Sequence, residues 1–174
     1  MTILDRLSLN CRVAMVTGGA GGIGHVVAEQ LRDLGATTVL ADRAQSSADV
    51  AESLGGKAKK VDWVSINVTD SKSVDSAIVK CERRHGRLDI LVAAAGVSYE
   101  QETLDHSDEN WRNVMAINRD GVFYCIRAAG RRRLEAAQLL LSHPLPELQR
   151  LGLRCTLDMM SPRLQLLTCA AISL

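Results

Sequence analysis

The sequence predicts an α/β fold built on a doubly wound parallel sheet, and three observations support this. Short apolar runs alternate with amphipathic helical patterns as far as about residue 95. A helix separates each run from the next, so the connections are right-handed crossovers between parallel strands. The run at 88–94 is largely apolar, as expected of a strand that is buried on both faces.

Four strands are expected, at residues 13–17, 37–41, 63–68 and 88–94. Three helices are expected between them, at residues 22–34, 44–54 and 71–85. Gly35 follows the first helix and Gly55-Gly56 follow the second, where glycine commonly ends a helix. Thr69-Asp70 precede the third helix and can cap its first turn.

A longer helix is expected from about Ser107 to about Leu141. Apolar residues recur within it at helical spacing and predict one buried stripe, made of Trp111, Val114, Met115, Ile117, Val122, Cys125, Ile126 and Ala129. Gly121 lies inside this helix at a cost of ~1 kcal/mol relative to alanine. A glycine at such a position indicates close packing against a neighbouring element.

The composition excludes several classes of function. Hydrophobic residues make up 47% and charged residues 24% of the 174-residue chain, and the net charge is +1. This balance gives no global field that would attract nucleic acid. The N-terminus lacks the basic start and apolar run of a signal peptide, and no apolar stretch is long enough to span a bilayer. We therefore expect a cytoplasmic protein with no nucleic acid partner and no membrane partner.

The five cysteines and four histidines are scattered along the chain. The cysteines are odd in number and form no Cys-x-x-Cys pair, which indicates reduced thiols in the cytoplasm rather than a disulfide framework. No histidine or cysteine cluster has the spacing of a metal site. No metal ion is therefore expected.

A glycine-rich turn, TGGAGGIG at residues 17–24, lies between the first strand and the first helix. Gly18 allows a tight turn, Gly22 allows a pyrophosphate to approach the backbone, and Gly24 allows the helix to pack on the strand. The helix N-terminus adds the positive end of its dipole. This arrangement predicts a dinucleotide cofactor, and an ordinary glycine turn is the alternative.

Asp42 ends the second strand. Its carboxylate would accept hydrogen bonds from the adenosine ribose hydroxyls and repel a 2′-phosphate, which favours NAD over NADP. Arg43 keeps NADP open, because a guanidinium could reach a 2′-phosphate. The alternative for Asp42 is an N-cap of the second helix.

Residues from about 10 to about 130 resemble the short-chain dehydrogenase/reductase family, which are Rossmann-fold NAD(P)-dependent oxidoreductases. The resemblance rests on four features in order: Thr17-Gly18-x-x-x-Gly22-Ile23-Gly24, Asp42, Asn67-Val68, and Ala93-Ala94-Ala95-Gly96 followed by Asn118. It implies a Rossmann-like sheet that is incomplete at the C-terminal side, because the family has a sixth and a seventh strand.

The resemblance also implies roles for single residues. Gly21 occupies a position where NADP-preferring relatives often carry a basic residue, which again favours NAD. Asn67 stands where the family has an aspartate at the adenine edge, and its alternative is a turn residue. Ala95-Gly96 keep the backbone role near the ribose, although Ala93-Ala94 replace the usual Asn-Asn. Asn118 matches the catalytic asparagine that holds a water in a proton relay, and a locally satisfied polar residue is the alternative.

The sequence departs from the family in its catalytic groups. The family uses a serine after the fifth strand and Tyr-x-x-x-Lys on the next helix, where the lysine lowers the tyrosine pKa. Only Tyr99 and Tyr124 are present, and Thr103 and Ala128 lie four residues after them. No lysine follows Lys80.

The composition changes after residue 130. Residues 131–174 contain no valine, no lysine and no aromatic residue, but all three prolines and many leucines. We expect a cofactor-binding region at 1–130 and an atypical helical or irregular tail at 131–174, with no further buried strand and no separate domain. The change suggests a reading-frame change, an alternative splice or a truncated gene.

The resemblance implies hydride transfer between NAD and a secondary alcohol or ketone, such as a polyol, a sugar or a hydroxy acid. The alternative is a non-catalytic NAD-binding fragment or a non-functional truncated product. The family commonly pairs subunits through the long helix, so a homo-oligomer stays open.

Overall fold

A computed structural model describes residues 7–43, 46–100, 102–142 and 166–167. Its parallel strands are β1 (Val13–Thr17), β2 (Thr37–Asp42), β3 (Val61–Ser65), β4 (Ile90–Ala93) and β5 (Leu166–Leu167). They lie in the order β3-β2-β1-β4-β5. The chain therefore moves outward from β1 to β3 and then returns to the other side of β1. This reversal confirms the doubly wound fold and creates a crevice between β1 and β4.

The helices are α1 (Gly22–Asp33), α2 (Ser46–Ser53), α3 (Ser71–His85), α4 (Asp108–Met115) and α5 (Val122–Ser142). They cover both faces of the sheet. On one face Met15 and Leu91 pack with Ile78 of α3 and Cys125 of α5. On the other face a second buried cluster joins α1 and α2 to the strands through Ala28, Leu31 and Ala51. This burial on both faces explains the continuous apolar runs.

The expected long helix is divided by a π-helical turn at Ala116–Gly121. Such a turn inserts one residue and rotates the helix that follows it. The buried stripe is confirmed at Ile117, Cys125 and Ala129 but is wrong at Trp111, whose side chain is 59% exposed. None of the residues of α4 is buried.

Two further expectations need correction. The third strand begins at Val61 and ends at Ser65 rather than spanning 63–68, so Ile66, Asn67 and Val68 extend beyond the ladder. A further strand exists after residue 130, since β5 pairs with Leu91 and Val92 of β4. The rest of the expected tail, residues 143–165 and 168–174, lies outside the described residues. No helix in the described part is both long and apolar enough to cross a membrane.

Candidate cofactor site

A cleft of about 420 Å³ opens at the carboxyl ends of the strands. Its walls come from the glycine-rich turn after β1 and from the segments that follow β2, β3 and β4. All the predicted cofactor residues except Gly24 line it: Gly18, Gly21, Gly22, Ile23, Asp42, Asn67, Val68, Ala95 and Gly96. The structure therefore brings together residues that are as far as 78 positions apart in the sequence.

The glycine-rich turn is shaped by contacts that exclude side chains. Gly18 has a φ of +68°, and a Cβ on it would lie 2.8 Å from the Cα of Ala95. A Cβ on Gly24 would lie 2.3 Å from the Gly18 carbonyl oxygen. Gly22 has a φ of +52°, and a Cβ on it would have no neighbour within 4 Å in the described part of the chain. The turn is thus packed against β4 and α1 but open at Gly22, which leaves room for a pyrophosphate at the start of α1.

Asp42 connects the end of β2 to the glycine-rich turn. Its Oδ2 accepts a hydrogen bond from the backbone N–H of Ala20 at 3.3 Å. Its Oδ1 accepts one from the N–H of Arg43 at 2.7 Å. The alternative role as an N-cap is not seen, since α2 begins at Ser46. Each carboxylate oxygen keeps further acceptor capacity for a ligand hydroxyl.

The segment after β4 is held by two polar side chains. Thr17, which is 1% exposed, accepts a hydrogen bond at Oγ1 from the N–H of Ala95 at 3.2 Å. Asn118 accepts from the N–H of Val97 at Oδ1 and donates from Nδ2 to the carbonyl oxygen of Val97, both at 2.9 Å. Thr17 begins the glycine-rich motif, but the sequence analysis gave its side chain no role. Asn118 is not among the residues lining the cleft. These two bonds match the alternative interpretation, in which Asn118 is a polar residue whose hydrogen bonds are satisfied by its neighbours.

Asn67 forms a turn while it also lines the cleft. Its Oδ1 accepts hydrogen bonds from the backbone N–H of Thr69 at 3.2 Å and from the Thr69 hydroxyl at 2.9 Å. Its own N–H donates to Oγ of Ser73 at 2.9 Å. Asn67 is therefore a turn residue that also lines the cleft, and its contact with an adenine stays a prediction.

A family model for short-chain dehydrogenases matches residues 12–138. The chain belongs to the short-chain dehydrogenase family. It is 39% identical over 115 residues to a cis-4-hydroxycyclohexanecarboxylate dehydrogenase of Sinomonas cyclohexanicum, covering 66% of this chain and 46% of that protein. It is 36% identical over 129 residues to a D-threitol dehydrogenase of Mycolicibacterium smegmatis, covering 74% of this chain and 50% of that protein.

Among solved structures, this chain is similar to a gluconate 5-dehydrogenase of Burkholderia cenocepacia in complex with NADP and tartrate. The TM-score is 0.71 at 32% identity, covering 78% of this chain and 53% of that one. The chain spans about half the length of the relatives it matches. The predicted family and the Rossmann-like fold are both confirmed.

The two tyrosines of the chain have partners other than lysine. The Tyr99 hydroxyl accepts a hydrogen bond from Nδ2 of Asn113 at 2.6 Å. The ring of Tyr124 lies 5.1 Å from the guanidinium carbon of Arg127. Within the described ranges, no group of three or more histidine, cysteine or acidic residues could hold a metal ion.

Proposed function

We propose that this chain binds NAD(H) in the cleft, in preference to NADP(H). The observation that carries the proposal is the common wall formed by the glycine-rich turn, Asp42, Asn67-Val68 and Ala95-Gly96. Gly22 and the start of α1 would hold the pyrophosphate, and Asp42 would hold the ribose hydroxyls. Bound NAD would supply a hydride acceptor, and NADH a hydride donor.

The preference for NAD rests on the charge of Asp42. A carboxylate that lines the cleft at the end of β2 would repel a 2′-phosphate. Arg43 also lines the cleft and is the residue that would favour NADP. The related gluconate 5-dehydrogenase of Burkholderia cenocepacia is in complex with NADP, so a direct comparison of the two cofactors is required.

The reaction that we propose for the family member is hydride transfer between the cofactor and a secondary alcohol or ketone. Relatives named L-2,3-butanediol dehydrogenase and D-threitol dehydrogenase favour a polyol, with sugars and hydroxy acids as the other classes. We keep Asn118 as the proposed relay residue, acting through its backbone, because its side chain already bonds Val97.

A second candidate function is cofactor binding without hydride transfer by this 174-residue chain. The observation that favours it is that Thr103 and Ala128, not lysine, follow Tyr99 and Tyr124 by four residues. Neither tyrosine therefore forms the Tyr-x-x-x-Lys pair that the family uses.

Calorimetric titration of the full chain with NAD and with NADP tests binding. NADH formation, followed by absorbance with threitol, butanediol, a sugar and a hydroxy acid, tests transfer. Binding with turnover supports the first function, and binding without turnover supports the second. No binding of either cofactor contradicts both.

We also propose a cytoplasmic location, a cofactor-binding region that ends near residue 130, and a homo-oligomer. The described cysteines, Cys11, Cys81 and Cys125, carry free thiols, in keeping with a reducing compartment. The exposed Trp111 and Phe123 would suit a contact between copies along α4 and α5. Sedimentation of the chain at several concentrations tests the assembly.

A further inference from the structure

The segment that follows β4 forms one end of the cleft. It contributes Ala94, Ala95, Gly96, Val97 and Ser98 to the lining. Ser98 is the only one of these five residues with a polar side chain. Its side chain is exposed and forms no hydrogen bond within the part of the chain that the structure describes. The segment therefore presents an apolar wall together with one uncommitted hydroxyl group.

The position of Ser98 is fixed by both of its neighbours in the chain. The Asn118 side chain bonds the N–H and the carbonyl oxygen of Val97, both at 2.9 Å. The Tyr99 hydroxyl accepts a hydrogen bond from Nδ2 of Asn113 at 2.6 Å. These bonds join the segment to α4 and to the π-helical turn. A hydroxyl group on a segment held in this way loses little conformational freedom when it binds a ligand.

The strand order places Ser98 at the nicotinamide end of a bound dinucleotide. The pyrophosphate belongs at the glycine-rich turn after β1, and the adenosine ribose belongs at Asp42 after β2. Because β4 lies on the opposite side of β1 from β2, the nicotinamide half would extend toward the segment after β4. A substrate that exchanges a hydride with the nicotinamide must approach the ring at this same end. This step rests on the proposed function.

We propose that the Ser98 hydroxyl binds the second hydroxyl of a vicinal diol, the one that is not oxidised. A serine hydroxyl can both donate and accept a hydrogen bond, so it can pair with an alcohol in either direction. The apolar residues of the same segment suit the carbon skeleton of a small diol. Ser98 therefore selects a polyol over a secondary alcohol that carries one hydroxyl group.

The test compares L-2,3-butanediol with 2-butanol, which lacks the second hydroxyl group. Each alcohol is titrated into the full chain saturated with NADH, and the fluorescence of the bound NADH is followed. Because NADH and an alcohol are both reduced, no hydride transfer disturbs the equilibrium. The dissociation constant should be about 2- to 10-fold lower for the butanediol, the factor expected for one net hydrogen bond.

Ser98→Ala should remove this preference by weakening the binding of the butanediol, while the affinities for 2-butanol and NADH stay unchanged. Ser76→Ala is the matched control, because Ser76 is an exposed serine of α3 that does not line the cleft. The control variant should keep the wild-type preference for the butanediol.

Equal binding of the two alcohols by the wild-type chain, or binding of NADH but of neither alcohol, overturns the inference without any variant. A folded Ser98→Ala chain that keeps the preference also overturns it. If Ser98→Ala weakens the binding of NADH instead, the hydroxyl serves the cofactor and the inference is wrong. If NADH itself does not bind the wild-type chain, the proposed function fails and the inference fails with it.

Discussion

A Cβ atom on Gly24 would stand 2.3 Å from the carbonyl oxygen of Gly18. The first turn of α1 and the first glycine of the glycine-rich turn are thus in backbone contact across six positions of the sequence. The Gly18 N–H donates in turn to the carbonyl oxygen of Ala41 at 2.8 Å. The start of α1, the glycine-rich turn and the end of β2 are therefore packed against one another. A side chain at position 24 would have to displace the backbone at Gly18.

Gly24→Ala should consequently weaken both the fold and cofactor binding. We expect the free energy of unfolding to fall by about 1–3 kcal/mol, the usual cost of overpacking, and NAD binding to be lost. Urea unfolding and calorimetric titration measure the two effects. Gly21→Ala is the control, since a Cβ there meets no atom of the described ranges within 4 Å and its backbone is extended. Equal unfolding free energies for the two variants would contradict this account.

Asp42→Asn should reduce the selectivity for NAD over NADP. The variant removes the charge that would repel a 2′-phosphate and keeps an oxygen that can accept from the N–H of Arg43 or Ala20. Because hydrogen bonds to charged groups contribute about 1.5–3 kcal/mol, we expect at least a tenfold loss of NAD affinity. Calorimetric titration with each cofactor gives the ratio. Asp49→Asn, on the exposed side of α2, should leave both affinities unchanged, and a similar loss there would refute the role of Asp42.

Glycines at two positions of the long helical segment should respond in opposite ways to alanine. A Cβ on Gly121 would lie 2.9 Å from Cγ2 and 3.0 Å from Cβ of Val68, whereas a Cβ on Gly130 would meet none of the described residues within 4 Å. Gly130→Ala should therefore raise the free energy of unfolding by up to about 1 kcal/mol through helix propensity. Gly121→Ala should lower the free energy of unfolding. Thermal unfolding of the two variants measures the difference. If both substitutions stabilised the fold, the Val68 side chain would have to move away from position 121 at little cost in free energy, which would contradict this account.

The sequence predicts a helix or a turn well where the residues that begin and end it are close to it in the sequence. Helix α3 runs from Ser71 to His85 as expected, because Asp70 accepts from the N–H of Lys72 and Gly86 takes a φ of +79°. The glycine-rich turn is likewise predicted from the spacing of its own glycines. Both signals lie within a few residues of what they define.

Contacts between distant segments could not be predicted from such signals. The π-helical turn contains Asn118, which forms hydrogen bonds with Val97, 21 positions away. The helical spacing of apolar residues does not indicate that contact. The bond from Ala95 to Thr17 joins two strand ends whose adjacency is known only from the sheet.

An acidic residue far from the cleft should give the fold a measurable dependence on low pH. Burial alone would raise the pKa of Asp62, but the Trp63 N–H, His85 and Arg84 together hold that pKa below its ordinary value. His85 Nε2 lies 3.0 Å and Arg84 Nη1 3.2 Å from its Oδ2. The ionised carboxylate thus joins the start of β3 to the end of α3.

Because this pKa is lowered in the folded state, the stabilisation is present above the unfolded value of about 4 and is lost as the pH falls through the lower folded value. Asp62→Asn should lower the free energy of unfolding by about 1–2 kcal/mol at pH 7. The difference from wild type should stay constant down to about pH 5 and shrink below pH 4. Urea unfolding between pH 3 and pH 7 measures it, with Asp49→Asn as the matched exposed control. A difference that persists unchanged at pH 3 would show that Asp62 acts through its shape rather than its charge.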